Sequence, residues 1–383
     1  MTPQQTRRPV HIRHASIACS LGLSLDKVWN RLCDGESGVG LIRAFDTSAL
    51  EFHKAARVDE LDQPEAPEQG RILWLMRKAL ENLPELPTET PIIWTGVKDN
   101  VEYIEQRAKG GDNPFFAFSA QYRRWIAEQS GLDGRGFELN AACASSTAGI
   151  GLGAQMIASG ECERVLVCAA DIVSRFTFLG FSALKALSPS LCRPFDNDRD
   201  GLVLGDGGGA ILLSSEEALL QDAAASRGEI IGWGIANDAN HITGPARDGC
   251  GLIEAIRQSM DMANIKADGI QAFCAHGTGT PYNDGMEMTA ITSLFGERQF
   301  PVFSVKGAIG HTLGAAGLIE TALSCRALAE KQVPPTCGFN QADPNSHNRV
   351  KARCQDFPGK NILTTNSGFG GINAALILRR AEA

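Results

Sequence analysis

Short apolar runs alternate with longer segments of helical periodicity over most of this chain. The runs that predict strands are Arg164–Ala170, Gly209–Ser214, Gly228–Ala236, Ile270–Ala275 and Asn361–Thr365. The segments that predict helices are Leu73–Asn82, Ser145–Ser159, Gly251–Met262, Met286–Phe295 and Gly317–Glu330. Strands that are apolar along their whole length are typical of a sheet covered on both faces, so the pattern predicts an α/β fold.

Two halves of unequal length flank a polar, alanine-rich segment, Ser215–Arg227, which predicts a helix and a turn. Each half contains a polar or reactive loop followed by a helix of small residues. The two sequences are AACASSTAGIGLGAQMI around Cys143 and GAIGHTLGAAGLIETAL around His311. Small side chains permit close packing on all sides, so we expect both helices to be buried. An internal duplication is one explanation of this similarity.

Composition narrows the class of protein. A chain of 383 residues predicts two domains or one large duplicated unit, since domains hold roughly 100–200 residues. The net charge of −8 argues against nucleic acid as a partner. No apolar run reaches the length of about 18 residues that a membrane span needs, and Ala15–Leu25 predicts a first strand and turn rather than a signal peptide. The eleven cysteines contain no Cys-x-x-Cys pair, which argues against a disulfide framework and a metal site and favours the cytoplasm.

Cys143 is the first candidate for chemistry. It lies in FELNAACASSTAG, where Ser145, Ser146 and Thr147 can cap the following helix. A thiol at a helix N-terminus meets the positive end of the helix dipole, which favours the nucleophilic thiolate. On this segment alone, a buried structural cysteine is the favoured interpretation.

Two histidines are further candidates. His276 follows an apolar strand in AHGTGTPYND, where Thr278 and Thr280 offer hydroxyls to a polar ligand. His311 lies in SVKGAIGHTLGAAGLIE with Lys306 before it and Glu320 after it. A lysine near a histidine keeps the imidazole neutral, and Glu320 can pair with the lysine. A turn histidine and an ordinary loop before a helix remain open as alternatives.

A glycine-rich turn, GFGG at Gly368–Gly371, lies near the end of the sequence. Such a turn can move or present backbone N–H groups. It does not have the spacing of a phosphate-binding loop, and DGGG at 206–209 is not a dinucleotide fingerprint.

Taken together and in this order, the motifs resemble those of the β-ketoacyl-acyl-carrier-protein synthases of the thiolase superfamily. They are NAACASSTAG, RPFDNDRDGLVLGDGGG, AHGTGTPYND, SVKGAIGHTLGAAG and NSGFGGINA. The resemblance implies a thiolase-like fold of two pseudo-duplicated halves in αβαβα layers. Residues 1–228 would carry the nucleophile, and residues 229–383 would carry both histidines and a gating loop.

The resemblance also implies a mechanism. Cys143 would take the acyl chain from a thioester, and two neutral histidines would stabilise the enolate formed when malonyl-carrier protein loses carbon dioxide. The implied catalytic residues are Cys143, His276, His311, Lys306, Glu320 and Phe369. The implied substrate-binding residues, for the phosphopantetheine arm and its tunnel, are Thr278, Thr280, Thr243, His241, Gly368 and Gly370. No cofactor is implied, because the substrates are carried on acyl carrier protein.

GHT at Gly310–Thr312 favours the elongating, Cys-His-His type over the initiating, Cys-His-Asn type. Three positions depart from the family pattern: Ser367 replaces a phenylalanine, Ile372 a threonine and Asn283 a glycine. Because of the first two, the resemblance does not imply an acyl-chain length or a gating behaviour for this protein. They favour an enzyme of specialised elongation.

Other readings of the sequence remain. The chain is expected to form a homodimer, or to be the catalytic subunit of a heterodimer with a chain-length factor. A non-catalytic factor would have lost Cys143. A thiolase would carry a Cys-x-Gly motif near the end, which the contexts of Cys337 and Cys354 do not provide. A Cys-His hydrolase would need water at the acyl enzyme. Fatty acid, polyene and polyketide elongation share the predicted chemistry.

Overall fold

A computed structural model describes residues 7–62, 70–98, 100–111 and 118–381. Its strands are β1 (Val10–Cys19), β2 (Val39–Leu41), β3 (Lys54–Ala56), β4 (Ile92–Trp94), β5 (Gly136–Glu138), β6 (Arg164–Asp171), β7 (Gly207–Ser215), β8 (Gly228–Asn237), β9 (Ala272–Cys274), β10 (Val302–Phe303), β11 (Gln332–Val333), β12 (Gln355–Asp356), β13 (Asn361–Gly368) and β14 (Ile372–Arg379). Its helices are α1 (Leu25–Cys33), α2 (Arg71–Leu80), α3 (Val101–Ala108), α4 (Ser119–Ser130), α5 (Ser145–Ala158), α6 (Arg175–Ala183), α7 (Glu216–Gln221), α8 (Cys250–Ala263), α9 (Pro281–Phe295), α10 (Lys306–Ile309) and α11 (Ala316–Glu330).

The five predicted strands and five predicted helices are all present, with shifted ends. Helix α9 begins five residues before the predicted Met286, because Pro281 is suited to a first helical turn. Strand β13 continues to Gly368, because its last residues pair with β14 in a hairpin. The predicted first strand and turn over Ala15–Leu25 are present, with an earlier start of the strand. Strand β1 begins at Val10 and ends at Cys19. Ser24 is the N-cap residue of α1, and its side chain accepts a backbone N–H of the first turn.

The two halves share one strand order. Ten strands follow the sequence β10-β9-β13-β14-β8-β1-β7-β6-β4-β5. Numbered within its own half, each set of five has the order 3-2-4-5-1, with parallel pairing around the second strand and antiparallel pairing around the fifth. The halves meet where β1 pairs with β8 through two residue pairs, at His11 and Ile12. This repeated topology supports the internal duplication, and the division into domains at residue 228 stays a prediction.

Helices and sheets alternate in five layers. Helices α5 and α11 contact each other and strands of both halves, so they form the central layer. Helices α2 and α4 cover the outer face of the first half, and α8 and α9 cover that of the second. The arrangement is therefore αβαβα, as the sequence predicted.

The two small-residue helices approach each other closely. A methyl group on Gly317 of α11 would lie 1.9 Å from the Thr147 hydroxyl oxygen of α5. Only glycine fits at such a contact. The N-terminal ends of α5 and α11 are thereby brought together, and the residues just before them form the site described next.

Candidate active site

Cys143 lies between β5 and α5, in a loop with a strained residue. Ala142 has a φ of 49°, a left-handed conformation that non-glycine residues seldom adopt. Ala142 and Ala144 precede and follow the cysteine, and α5 starts at Ser145. The Cys143 side chain is 7% exposed. The local strain thus presents the sulfur to an enclosed space.

The resting state of Cys143 differs from the sequence-based expectation. Burial raises the pKa of this thiol to about 11, against the opposing effect of Lys306 and of the backbone N–H groups of Phe369 and Cys143, which donate to the sulfur. The expectation of a resting thiolate was wrong, because desolvation of the charged sulfur outweighs the nearby positive groups. The resemblance implies that the same two N–H groups form an oxyanion hole, and that role stays a prediction.

The three hydroxyl residues after Cys143 brace the site instead of capping α5. The cap position is Ala144, without a side-chain hydrogen bond. The Ser145 hydroxyl donates to the carbonyl of Ala142, at 2.6 Å, and the Ser146 hydroxyl accepts from the N–H of Leu318, at 2.9 Å. The predicted helix cap is therefore corrected: these hydroxyls fix the cysteine loop and the junction with α11.

His311 contacts the cysteine directly. Its Nε2 lies 3.1 Å from the Cys143 sulfur. The backbone of His311 is held on both sides, since its N–H donates to Val203 and its carbonyl accepts from Gly205. Burial, and then the charge of Lys306, hold the pKa of His311 well below its usual value, so the imidazole is neutral. Within the described residues its Nδ1 has no hydrogen-bond partner, so none of them fixes its tautomer.

His276 reaches the same space from the end of β9. Its ring meets that of His311 edge-on, with 5.1 Å between centroids. The buried Glu287 carboxylate accepts the N–H groups of His276 and Gly277, each at 2.7 Å, and so fixes the turn. Burial, followed by Lys306 and His311, lowers the pKa of His276 far below its usual value. Both histidines are thus uncharged. The nearby lysine predicted this for His311, and the resemblance implied it for both.

Asn366 sets the proton position on His276, and sequence reasoning missed this residue. Its Nδ2 lies 3.0 Å from His276 Nδ1 and 2.8 Å from Glu320 Oε2, while its Oδ1 accepts from the Thr147 hydroxyl. A carboxylate and a hydroxyl donor together orient the amide so that both amide hydrogens point at Glu320 and His276. His276 Nδ1 must then be the acceptor, so its proton is on Nε2. The only sequence signal was the position of Asn366 beside the GFGG turn.

Lys306 and Glu320 form a buried ion pair behind the histidines. Both side chains are 1% exposed, and Lys306 Nζ also donates to the His276 carbonyl at 2.6 Å. Burial raises the pKa of Glu320, and Lys306 and Asn366 oppose the rise. The predicted lysine–glutamate pair is confirmed. Its position explains how one charge depresses the pKa of both histidines.

Thr278 and Thr280 lie next to the histidines, with their hydroxyl oxygens 2.9 Å apart. The Thr278 side chain is buried and that of Thr280 half-buried. The buried Asp284 carboxylate holds the turn between them through the N–H groups of Thr278 and Gly279. Asp284 and Glu287, one helical turn apart on α9, are a second feature that sequence reasoning left without a role.

The GFGG turn passes directly over the cysteine loop. A methyl group on Gly368 would lie 2.7 Å from the Ala141 carbonyl oxygen. Phe369 stacks on Phe181 of α6, with 5.7 Å between ring centroids, and is half-buried. Ser367, the departure from the family pattern, donates to the side chain of Asn373 at 2.7 Å across the hairpin. The structure brings the backbone N–H of Phe369 to the Cys143 sulfur, while the action of its side chain as a gate stays a prediction.

His241 and Thr243 lie farther out. His241 is exposed, and its Nδ1 accepts the N–H of Thr243 at 3.1 Å. Their loop joins the GFGG turn through the backbone, where the N–H of Gly370 donates to Ile242 at 2.7 Å. These two residues belong to the rim around the turn and do not reach the Cys143–His311 contact.

Metal ligands, disulfides and membrane-spanning helices are the remaining features that bear on function. Among the described ranges, no group of three or more histidine, cysteine or acidic residues could hold a metal ion. All eleven cysteines are free. No helix in the described part of the chain is long and apolar enough to cross a membrane.

A cysteine and two neutral histidines, contributed by both halves of a thiolase-like fold, define the class of carbon–carbon bond-forming condensing enzymes. Two family models match the sequence: "Beta-ketoacyl synthase, N-terminal domain" over residues 124–218 and "Beta-ketoacyl synthase, C-terminal domain" over residues 227–340. The chain belongs to the β-ketoacyl synthase family.

Known proteins of two kinds are similar to it. The 3-oxoacyl-[acyl-carrier-protein] synthase 2 of Staphylococcus aureus (strain COL) is 29% identical over 397 residues, which cover 95% of this chain and 96% of that protein. A putative polyketide beta-ketoacyl synthase 1 of Streptomyces halstedii is 34% identical over 67% of this chain and 63% of its own length.

Solved structures extend the likeness over nearly the whole chain. The ishigamide ketosynthase/chain length factor has a TM-score of 0.89 and 30% identity, covering 98% of this chain and all of that one. The ketosynthase ApeO in complex with its chain length factor ApeC, from Xenorhabdus doucetiae, has a TM-score of 0.82 and 26% identity, with all of both chains covered.

Proposed function

We propose that this protein elongates an acyl chain by decarboxylative condensation with a malonyl group, both carried on the phosphopantetheine of acyl carrier protein. The observation that carries the proposal is the enclosed contact of Cys143 with His311, beside a second neutral histidine and two backbone donors. Fatty acid and polyketide relatives both fit this chemistry.

In the first step, the Cys143 sulfur attacks the carbonyl carbon of the acyl thioester. Because the thiol is protonated at rest, His311 Nε2 receives its proton as the sulfur–carbon bond forms. The N–H groups of Cys143 and Phe369 stabilise the negative oxygen of the intermediate. The proton then passes to the departing pantetheine thiol, and His311 returns to its neutral form.

In the second step, the malonyl group loses carbon dioxide, and the electron pair of the broken carbon–carbon bond forms an enolate. His276, whose proton lies on Nε2, donates to the enolate oxygen. His311 donates beside it in the tautomer that carries its proton on Nε2, since no described contact to Nδ1 fixes the other tautomer. Neutral donors suit this step, because a charged imidazolium would protonate the carbanion. The enolate carbon attacks the acyl carbonyl, and the bond to the Cys143 sulfur breaks. The sulfur leaves as a thiolate and takes up a proton from solvent.

The remaining residues hold or admit the substrates. Lys306 and Glu320 orient the histidines through the carbonyl of His276 and through Asn366. The hydroxyls of Thr278 and Thr280 lie beside the histidines and bind the pantetheine arm. Phe369 covers the cysteine, and Gly368 and Gly370 let its turn move. His241 and Thr243 line the outer part of the path.

We further propose that no separate cofactor takes part and that the enzyme acts in the cytoplasm, where its eleven free thiols stay reduced. Two of the similar structures are of ketosynthases with a chain length factor. They support a heterodimer of this protein with such a factor as a second possibility beside a homodimer. Native mass measurement after expression alone decides between them: a dimer of this chain supports the first arrangement, and a monomer supports the second.

The condensation itself is tested with an acyl-carrier thioester and malonyl-carrier protein. The expected product is the β-ketoacyl-carrier protein, detected by mass, with release of carbon dioxide. His276→Ala and His311→Ala should suppress carbon dioxide release, and normal release in both variants would refute their role. A hydrolase would release free acid at a rate unaffected by malonyl-carrier protein.

A further inference from the structure

A second pocket lies away from the candidate active site, at the far ends of α11 and β14. Its walls include Ser226, Arg227, Arg326 and Arg380, its floor includes Ala322 and Cys325, and its volume is about 350 Å³. We call it the arginine pocket. Helix α11 holds Glu320 near its start and faces this pocket through its last turns, so the two sites share the helix. The volume is within the range of small-ligand sites, roughly 300–1,000 Å³.

Two of its arginines have no carboxylate partner within residues 7–62, 70–98, 100–111 and 118–381. Arg227 and Arg380 form no ion pair there, although the chain as a whole is acidic. The nearby Asp222 is already paired with Arg13 and Arg164, at 2.5 and 2.8 Å. The positive charges of Arg227 and Arg380 therefore have no paired carboxylate among the described residues.

Buried donors strengthen this observation. Arg380 Nη1 and Arg326 Nε are shielded from solvent, and neither has an acceptor in the described part of the chain. Arg326 uses its other nitrogens to bind Asp26 and Glu330, at 3.1 and 2.9 Å. An unsatisfied buried donor carries a desolvation penalty, which an acceptor from a ligand would remove.

The charge of Arg227 also affects the pKa of two neighbouring groups. Burial, then Arg227 and Arg13, lower the pKa of His14 to about 4. Burial raises the pKa of Cys325 to about 12, against the effect of Arg227. Both groups are therefore neutral near pH 7 and add no charge to the pocket.

We propose that the arginine pocket binds an amphiphilic anion, a carboxylate or phosphate monoester on a short alkyl body. Guanidinium groups bind both head groups through paired hydrogen bonds. The alanines of the floor, with Leu25 at its edge, give the alkyl part an apolar surface. An inorganic ion would leave that surface uncovered, and a neutral alcohol would leave the arginines unpaired.

The test is calorimetric titration of the full chain with octanoate and, separately, octyl phosphate. At least one probe should bind at one site per chain, more tightly than octan-1-ol or inorganic phosphate, and the tighter probe identifies the head group. Arg227→Gln and Arg380→Gln should each weaken binding at least about tenfold, since each removes charge-assisted hydrogen bonds. Arg353→Gln, at an exposed arginine elsewhere, should leave it unchanged.

One further measurement and one further variant keep the result interpretable. Acyl loading of Cys143 in both arginine variants shows that they are folded. Glu382→Gln removes the carboxylate that lies two residues after Arg380 in sequence. Binding of the probe should persist in this variant. The proposal is overturned if neither probe shows saturable binding, or if binding survives at full strength in both arginine variants. In that second case the probe occupies another site, such as the acyl tunnel.

Discussion

Replacing Asn366 by alanine tests the most specific geometric feature of the site. The substitution removes the amide that donates to His276 Nδ1 and Glu320 and accepts from Thr147. His276 then loses the group that keeps its proton on Nε2. Thr365→Ala is a matched control, because this neighbouring hydroxyl is buried and has no hydrogen-bond partner in the described residues.

The magnitude follows from the three lost contacts. The bonds to His276 and Thr147 are neutral and contribute about 0.5–1.5 kcal/mol each, while the bond to the Glu320 carboxylate contributes about 1.5–3 kcal/mol. We expect Asn366→Ala to lower the free energy of unfolding by about 4 kcal/mol. Most domains have about 5–15 kcal/mol in total, so the variant should still fold. Misplacing a proton donor in the transition state should reduce decarboxylation roughly 100-fold.

The assay measures carbon dioxide release from malonyl-carrier protein, together with urea unfolding of each variant. Acyl loading of Cys143 should be much less affected, since Asn366 does not touch the Cys143–His311 pair. The reasoning is refuted if folded Asn366→Ala decarboxylates within twofold of the wild type, or if Thr365→Ala is equally impaired. A uniform loss in loading and decarboxylation would instead indicate general damage to the fold.

Three other predictions follow from the described geometry. Gly368→Ala should slow acyl loading of Cys143 at least about tenfold, because the added methyl group would push the turn away from Ala141 and move the Phe369 N–H from the sulfur. Gly285→Ala is the control and should load normally, because nothing lies within 4 Å of an added methyl group there. Alkylation of Cys143 by iodoacetamide, followed by peptide mass, should rise about tenfold per pH unit from pH 7 to 10, since burial raises its pKa to about 11; a plateau below pH 9 would contradict the buried thiol. Burial and Asp284 raise the pKa of Glu287 to about 8, so the folded state binds more protons than the unfolded state between about pH 4.5 and 8. The free energy of unfolding should therefore fall as pH rises through this window. Glu287→Gln should flatten that pH dependence in urea titrations, and an unchanged slope would assign it to other groups.

Local sequence predicted the parts of the site that local chemistry determines. Cys143, His276 and His311 each stand at the end or start of a recognisable element, and their motifs place them in one family. The proximity of Lys306 predicted a neutral His311, and burial, followed by the charge of Lys306, lowers the pKa of both histidines.

What sequence could not predict depends on contacts between distant segments. Asn366 meets His276, 90 residues away, only because β13 pairs with β9, and nothing in its own segment indicates that role. The raised pKa of Cys143 comes from enclosure by both halves, which a helix-terminus argument does not include. The sequence predicted that the Ser146 hydroxyl caps a helix. In the structure α11 packs against α5, and the N–H of Leu318 donates to this hydroxyl instead. Tertiary contact decided each of these outcomes.

The central claim is that Cys143 carries the acyl chain. The most direct measurement is the intact mass of the protein after incubation with an acyl-carrier thioester, with Cys143→Ala as the comparison. The account predicts that the wild type gains the mass of one acyl group and that Cys143→Ala gains none. An adduct that persists in Cys143→Ala, or a folded wild type that gains no acyl group with any chain length, would contradict it.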